Sequence, residues 1–385
     1  MSYDKWIVRK LGEITINHDK KRIPLSTMER TSRKGKYPYY GAQGIIDYID
    51  DYIFEGRYLL IAEDGANLQT RNQDIALLTS LIDKFWVNNH AHILSSNELS
   101  DIRYIMYYLN YYDISGYITG SAQPKLNQSN LNNIEIKLPS LQEQKAIANI
   151  LSSLDDKIEL NNKINKNLEE LAQTVYKRWF VDFEFPNEYG QPYKSSGGEM
   201  VESELGLIPK AWTIKEQGEY FPVITGKKNA NIATSDGKYK FFTCSQEVYL
   251  TDSYSFEGDA ILVAGNGDFN VKYYSGKFEA YQRTYVLIPQ NNKLSGILYF
   301  AIQHNLNDIT SGSRGSVISF ITKGHIENFK VAFPNTTKLE ELGIIFRNIL
   351  ISIAHNNEEN DRLSKLRDEL LPKLMNGEIE VPIKE

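Results

Sequence analysis

Cysteine is almost absent from these 385 residues: Cys244 stands alone. One thiol makes no internal disulfide and no multi-cysteine metal site, and a chain of this size without paired cysteines fits a reducing compartment. Cys244 reads either as a nucleophile or as a bystander thiol, the second being the ordinary case. Long hydrophobic runs are also missing. Met1 to Lys10 carry no apolar signal core. The most apolar long stretch, Ile344 to Ala354, is interrupted by Arg347 and Asn348 and is too short for a bilayer. The expectation is a cytoplasmic, soluble chain with no membrane partner. A net basic charge is lacking as well. Lys and Arg number 43 against 49 Asp and Glu, for a net −6. Overall charge therefore does not mark a polyanion binder, and only local clusters of cations could make one.

Complete catalytic motifs are lacking too. Gly190 to Ser195 resembles a fragment of a phosphate loop but has no second glycine. Gly265-Asn266-Gly267 has Asn270 where a dinucleotide fingerprint needs its third glycine. No Asn-Pro-Pro-aromatic stretch is present for amino-methyl transfer to a base. His90 and His92 alternate in a strand-like run and could share a metal, yet no third ligand cluster stands nearby. Glu135-Ile136-Lys137 matches the end of a nuclease centre without the Pro-Asp partner that would precede it. The expectation is no catalytic residue and no metal.

What is present is ample for folding. The chain is 41% hydrophobic and 12% aromatic, which excludes a wholly disordered polymer. Domains of about 100–200 residues make two or three units the prior. The sequence then repeats itself. Glu55 to Gly65 returns as Glu257 to Gly267, at a shift of 202. Gly120 to Pro139 returns without a gap as Gly315 to Pro334, at a shift of 195, and Trp6 and Trp212 open the two copies. Drifting shifts mean loops of different length on a common frame.

Beyond Pro139 the shift of 195 continues into a heptad pattern. Ile147, Leu154, Asn161, Leu168 and Val175 are seven apart, as are Leu342, Ile349, Asn356, Leu363 and Leu370. Leu151, Ile158 and Leu171, and Phe346, Ile353 and Leu366, fill complementary positions. Such a stripe suits a coiled coil, or else two amphipathic helices each lying on its own domain. Asn161 and Asn356 interrupt otherwise apolar stripes, as register-fixing residues do. The paired helices would thus use Leu154, Ile158, Asn161, Leu168 and Val175 against Ile349, Ile353, Asn356, Leu363 and Leu370. The organisation expected is a strand-rich mixed domain over 1–139 and a long helix over 140–185. A turn-rich linker over 186–204, a second mixed domain over 205–334 and a second long helix over 335–385 follow. Short apolar runs at Tyr58 to Ala62, Ala91 to Leu94, Ala260 to Ala264 and Thr284 to Ile288 read as strands, and Ile102 to Asn110 and Gly296 to His304 as helices on the sheets. The fold class is α+β with an internal pseudo-two-fold repeat.

Two similar domains held apart by a helix pair suit a ligand with two separated sites on a regular scaffold, and duplex DNA is the obvious one. Each copy has polar loops for it. The first offers Tyr40 and Gln43, then Asn67, Gln69 and Arg71, then Ser121, Gln123 and Lys125. The second offers Lys227 and Lys228, Asn266, Lys272, Arg283, and Ser313, Arg314 and Ser316. Amides suit adenine edges, guanidinium suits guanine, and Lys and Ser suit phosphates.

These residues resemble the specificity subunits of type I restriction–modification systems. The resemblance is carried by Trp6 to Ile14, Gly120 to Leu126, Leu138-Pro139-Ser140-Leu141-Gln142-Glu143-Gln144, Ile150 to Asn162, Ser203 to Trp212, Gln282 to Leu287 and Asn376 to Ile379. It covers nearly the whole chain. It implies two target recognition domains, each reading half of a bipartite DNA site. The helices would pair antiparallel, set the spacer and dock two methyltransferase subunits. S-adenosylmethionine, ATP and magnesium would belong to those subunits and to the restriction/translocase subunits, so that this chain alone is no enzyme. The second copy departs from the pattern. Val317-Ile318-Ser319 replaces Gln-Pro-Lys, and the segment after Pro334 lacks Gln-Glu-Gln. The alternatives are a stand-alone nuclease using Glu135 and Lys137, or a scaffold binding protein or glycan through tyrosine-rich loops.

Overall fold

The computed structural model describes residues 6–120, 122–311 and 319–383. The chain divides into two units, Met1–Ile158 with Asp361–Glu385, and Glu159–Asn360. Among the described residues no helix is long and apolar enough to cross a membrane.

Unit 1 starts with an antiparallel ladder of Ile7–Lys10 against Glu135–Leu138. Ile136 and Leu138 face the core while Glu135 and Lys137 face out, as a period of two demands. An antiparallel sheet orders Thr15–Asn17, Ala91–Ser96, Leu59–Ala62 and Ala76–Leu78. A second sheet orders Gly44–Ile49, Lys34–Gly41, Lys84–Val87 and Phe54–Glu55. Within it Lys34–Gly41 runs parallel to Lys84–Val87, with Tyr40 opposite Val87. Helix Ile102–Tyr111 buries Tyr104, Ile105, Tyr108 and Leu109.

Unit 2 repeats the plan. Thr213–Glu216 pairs with Lys330–Phe333. A six-stranded sheet orders Val223–Thr225, Thr284–Leu287, Phe256–Ala264, Val271–Ala280, Tyr239–Phe242 and Val248–Thr251. Tyr239–Phe242 again runs parallel to its neighbour, with Phe242 opposite Ala280. Helix Ser295–His304 is buried nearly all round. The one sheet here corresponds to two in unit 1 because Phe256–Ala264 stays extended through Gly258, whereas the equivalent chain breaks at Gly56-Arg57 between two short strands. Residues 186–204 are no slack tether. Phe185 stacks on Tyr193 and Trp212, and Met200–Ser203 forms a hairpin with Gly206–Pro209.

The long helices are Leu141–Tyr176, of 36 residues, and Thr336–Met375, of 40. The first begins on a polar fastening. Ser140 Oγ accepts the Glu143 amide, and the fully buried Gln144 donates to the carbonyls of Leu99 and Pro139 while accepting from Asp101 N. This gives the Leu-Pro-Ser-Leu-Gln-Glu-Gln motif its physical reason. The second copy puts Leu339 at the matching place, buried at 2%, so an apolar contact replaces the amide.

In each unit the two helices pair antiparallel. In unit 1, Asp155 accepts from Arg367 at 2.8 Å, and Ile147 and Leu151 share a core with Leu374 and Met375. In unit 2, Asn161 is fully buried and donates to Glu359 Oε2 and Asn360 Oδ1 at 2.8 and 2.9 Å. Asn356 donates to Asn165 Oδ1 at 2.8 Å, and Asn360 to Asn162 Oδ1 at 2.9 Å. The two register asparagines thus belong to a polar ladder of several rungs. Leu171 and Leu366 correct the expected stripe. They are 54% and 44% exposed, and Ala172 and Tyr176, and Leu374 and Met375, are the buried positions instead.

Candidate nucleic-acid interface

In unit 1 the polar loops converge where strand Leu59–Ala62 ends and strand Ala91–Ser96 begins. The Gly65 amide donates to Pro124 O at 3.2 Å, and Lys125 exchanges two backbone bonds with Thr119. The Gln43 amide nitrogen stands 3.9 Å from where a Cβ on Gly65 would be. Gly120 has φ +84°, and a Cβ there would meet Gln123 O at 2.4 Å, so only glycine turns this loop. Gln43, Gln69, Gln123 and Lys125 are exposed at this end. His90 joins them through the turn before the second strand, its Nδ1 2.7 Å from Asp64 Oδ2.

Beneath the loops lies an ionic brace. His92, 1% exposed, places Nδ1 2.5 Å from Asp19 Oδ2 and Nε2 2.7 Å from Leu126 O. Both ring nitrogens are thus engaged, and the ring is fixed between Asp19 and Glu63. Arg22 bonds Glu63 at 2.7 Å and the Ala91 carbonyl at 2.9 Å, and Lys125 reaches Glu63 at 3.3 Å. Burial alone would push the Asp19 carboxyl up, but His92, the Ile93 amide and Asn17 outweigh it and hold it below its ordinary value. Glu63 is likewise lowered, burial being outweighed by Arg22, His92 and Lys125. His92 is therefore engaged in bracing rather than offered with His90 to a metal. Among the described residues no cluster of three or more His, Cys, Asp or Glu could hold a metal ion.

Three of the unit 1 residues expected at DNA have side chains engaged within the fold. Tyr40 is 7% exposed and packs edge-on against Phe85 at 5.6 Å, because both faces are covered at the end of strand Lys34–Gly41, where Tyr39, Tyr40 and Gly41 are buried. Arg71, at φ +53°, sends Nη2 to the carbonyls of Leu109, Asn110 and Tyr112, which it bonds at 2.9, 3.0 and 3.0 Å. It closes the C-terminus of helix Ile102–Tyr111, whose last carbonyls have no partner within the helix. Asn67 uses its amide on Gln73, donating to the carbonyl and accepting from the N–H at 3.0 Å each. Ser121 lies outside the described residues.

Unit 2 assembles the equivalent end differently. Lys228 pairs with Tyr281, Gln282 N donates to Lys228 O, and Gly265 N donates to Arg283 O. Asn266 pairs with Phe320. Lys227 and Arg283 are exposed, Lys227 lying 5.5 Å from the Phe256 ring centre. Lys272 is not a free cation. Its ammonium donates to Ser245 O and Asn270 Oδ1, both at 2.6 Å, and burial pulls its pKa down. Asn270 in turn donates to Cys244 O at 2.9 Å, and the Cys244 thiol donates to Arg283 O at 3.3 Å. Ser313, Arg314 and Ser316 lie outside the described residues.

The parallel strand pairs identify what sequence reasoning missed. Chain leaving Tyr40 enters Gly41 to Gln43, and chain leaving Phe242 enters Thr243 to Ser245, each beside its parallel neighbour. Thr243, Cys244 and Ser245 are thus the unit 2 counterpart of the Gln43 loop, and they edge a cleft of ≈ 470 Å³ shared with Ala233, Tyr249 and Tyr281. The Phe-Phe against Tyr-Tyr match preceding each segment was the available signal. Glu135 and Lys137 do not form a centre. They project from an outer ladder, and the Lys137 ammonium lies 5.8 Å from the Tyr112 ring centre.

The profile of the type I restriction modification DNA specificity domain matches residues 3–170 and again residues 195–365. The chain belongs to that family. Among its relatives, the EcoDI type I restriction enzyme specificity subunit of Escherichia coli is 39% identical over 178 residues, covering 45% of this chain and 40% of the relative. The MjaIX specificity subunit of Methanocaldococcus jannaschii is 28% identical over 296 residues, covering 70% of this chain and 65% of the relative. The chain thus matches less than two thirds of the length of these two curated relatives. A solved type I S subunit from M. genitalium shares the fold at TM-score 0.70 and 18% identity, over 100% of this chain and 98% of that one. The two family matches each take in one strand-rich domain and much of one long helix, so the type I specificity repeat and the structural repeat coincide.

Proposed function

We propose that this chain is the sequence-reading subunit of a type I restriction–modification complex. Each strand-rich domain reads one half of a bipartite DNA site through its loop cluster. The paired helices set the spacer between halves and dock two methyltransferase subunits, with restriction/translocase subunits joining them. S-adenosylmethionine, ATP and magnesium act on those partners, and this chain contributes recognition rather than catalysis. The observation that carries the reading is the duplicated specificity match, residues 3–170 and 195–365, with one braced loop cluster in each copy. Exposed Gln43, Gln69, Gln123, Lys125, Lys227 and Arg283, with half-buried Lys228 and Asn266, supply amides and cations of the kind that read base edges and phosphates. Partner subunits carrying positive charge would reconcile the acidic balance of this chain with duplex binding. The test is methylome sequencing of a host with and without the gene. Loss of one bipartite adenine-methylation motif is expected, and an unchanged methylome rejects the reading.

A further inference from the structure

The opposite pole of the unit 1 sheet, where Leu59–Ala62 begins and Ala91–Ser96 ends, holds a second cation-bearing hollow. A cleft of ≈ 470 Å³ is lined there by Arg57, Arg103 and Lys145, with the polar groups of Ser96, Asn97 and Ser100. Five steps of extended strand separate it from the loop cluster at His90, roughly 17 Å.

The three cations differ. Arg103 is engaged: it grips Asp101 at 3.1 and 2.8 Å and donates to Asn149 Oδ1 at 2.7 Å. Asp101 also caps the helix by accepting the Arg103 amide at 2.9 Å. Arg57 and Lys145 have no described ion pair or hydrogen bond among the described residues, and Arg57 Nε is buried without an acceptor. Four other unit 1 guanidinium groups pair with carboxylates, Arg22 with Glu63, Arg30 with Asp47, Arg33 with Asp50 and Arg367 with Asp155, and Arg71, whose Nη1 is also buried without a partner, bonds three carbonyls through Nη2. A guanidinium and an ammonium left without a carboxylate by the fold are groups that an incoming carboxylate can pair. The wall is not purely polar. Leu81, which lines the cleft, and its neighbour Ile82 are 67% and 86% exposed. A phosphate backbone offers nothing to cover two such side chains, whereas a peptide does.

We propose that this cleft docks an acidic segment of a protein partner, two carboxylates pairing with Arg57 and Lys145 while an apolar side chain covers Leu81 and Ile82. The inference rests on the subunit reading above in naming that partner as the methyltransferase subunit. The test titrates that subunit with the full chain, wild type and R57E/K145E, at low and high salt, and measures DNA binding by each assembled complex. The charge reversal is expected to weaken assembly by about tenfold or more at low salt, and the gap should close as salt rises and screens the pairs. K145R, which keeps the charge, should assemble like wild type, and L81S/I82S should weaken assembly at every salt concentration. Normal assembly by R57E/K145E, with thermal midpoint unchanged, overturns the inference and leaves the subunit reading standing. Competition by inorganic phosphate, or weakened DNA binding with assembly intact, also overturns it, since the occupant is then a phosphate. Failure of the wild-type chain to bind either methyltransferase or DNA rejects the subunit reading and this inference with it.

Discussion

At the scale of the residue, the two loop clusters rest on unlike braces. Asp19 anchors the first by accepting from His92 and from the Ile93 amide at 2.9 Å. Its pKa is lower folded than unfolded, so its stabilisation is complete above the ordinary carboxylate value of ~3.9 and is lost as pH falls through the folded value. Asp19→Asn should lower stability at neutral pH by about 1–3 kcal/mol, because the buried His92 ring and the Ile93 amide lose their charged acceptor. It should also flatten the acid limb of a plot of thermal midpoint against pH, and a variant that keeps the wild-type acid limb would refute the assignment. Lys272 anchors the second end. Lys272→Met keeps the stem but leaves Ser245 O and Asn270 Oδ1 without their donor, at a cost of about 1–3 kcal/mol. The expected outcome is a blurred sequence in one half of the methylated motif and an unchanged other half, read by methylome sequencing. Blurring of both halves would count against a local brace. Neither brace was legible in the sequence. Arg71 bonds carbonyls 38 to 41 residues away and Lys272 bonds a carbonyl 27 residues behind it, so only the folded chain separates these engaged cations from the exposed ones at Lys227 and Arg283. Tyr40 misled for another reason: alternation says which face a strand residue takes, but not that both faces are covered.

At the scale of the element, the sequence was far more readable. Helices expected at Ile102 to Asn110 and Gly296 to His304 run Ile102–Tyr111 and Ser295–His304. The apolar runs at Ala91 and Thr284 open strands Ala91–Ser96 and Thr284–Leu287. Caps and breakers are local chemistry, which is why the ends fall within a residue or two. The heptad stripe was legible in the middle and failed at its ends. Leu171 and Leu366 stand one residue short of the slots that Leu151 and Ile158, and Phe346 and Ile353, set at intervals of seven. The buried residues fall on those slots, at Ala172 and, a heptad further along the second helix, at Leu374. At Ala172 the helix also turns its face to the Phe180, Trp212 and Phe346 core. The asparagine rungs make a prediction at this scale. Four residues inserted after Asn161 add about 6 Å and turn the following chain by about 40°. Asn162 and Asn165 then no longer face Asn360 and Asn356. The expected outcome is a methylated motif with altered spacer length, or a chain that fails to assemble, and an unchanged motif would exclude the helix pair as the ruler.

At the scale of the whole molecule, the question is whether the halves are exchangeable parts. Unit 1 has a continuous core running from Leu11 and Ile14 through Leu59, Ile61 and Leu94 to Tyr104 and Leu109. That core closes on residues from outside the 1–139 segment: Ile147, Ala148 and Leu151 on the first long helix, and Leu374 and Met375 at the end of the second. The Tyr107 hydroxyl donates to Asp155 at 2.5 Å, and Tyr112 donates to Asn376 at 2.8 Å. Replacing residues 1–139 with the matching segment of another specificity subunit should therefore succeed only when the donor keeps the apolar face and tyrosines that meet these helix residues. A donor with polar residues there would leave several large side chains open to water, at about 1.5–3 kcal/mol for each. On the proposed function a compatible chimera should methylate a motif with one half replaced and the other kept, because the brace and loops assigned to the first half travel together within the segment. Methylome sequencing reads both halves at once. A chimera that folds yet changes both halves would show that reading is shared between the copies rather than held in each, and would break the link drawn from repeat to half-site.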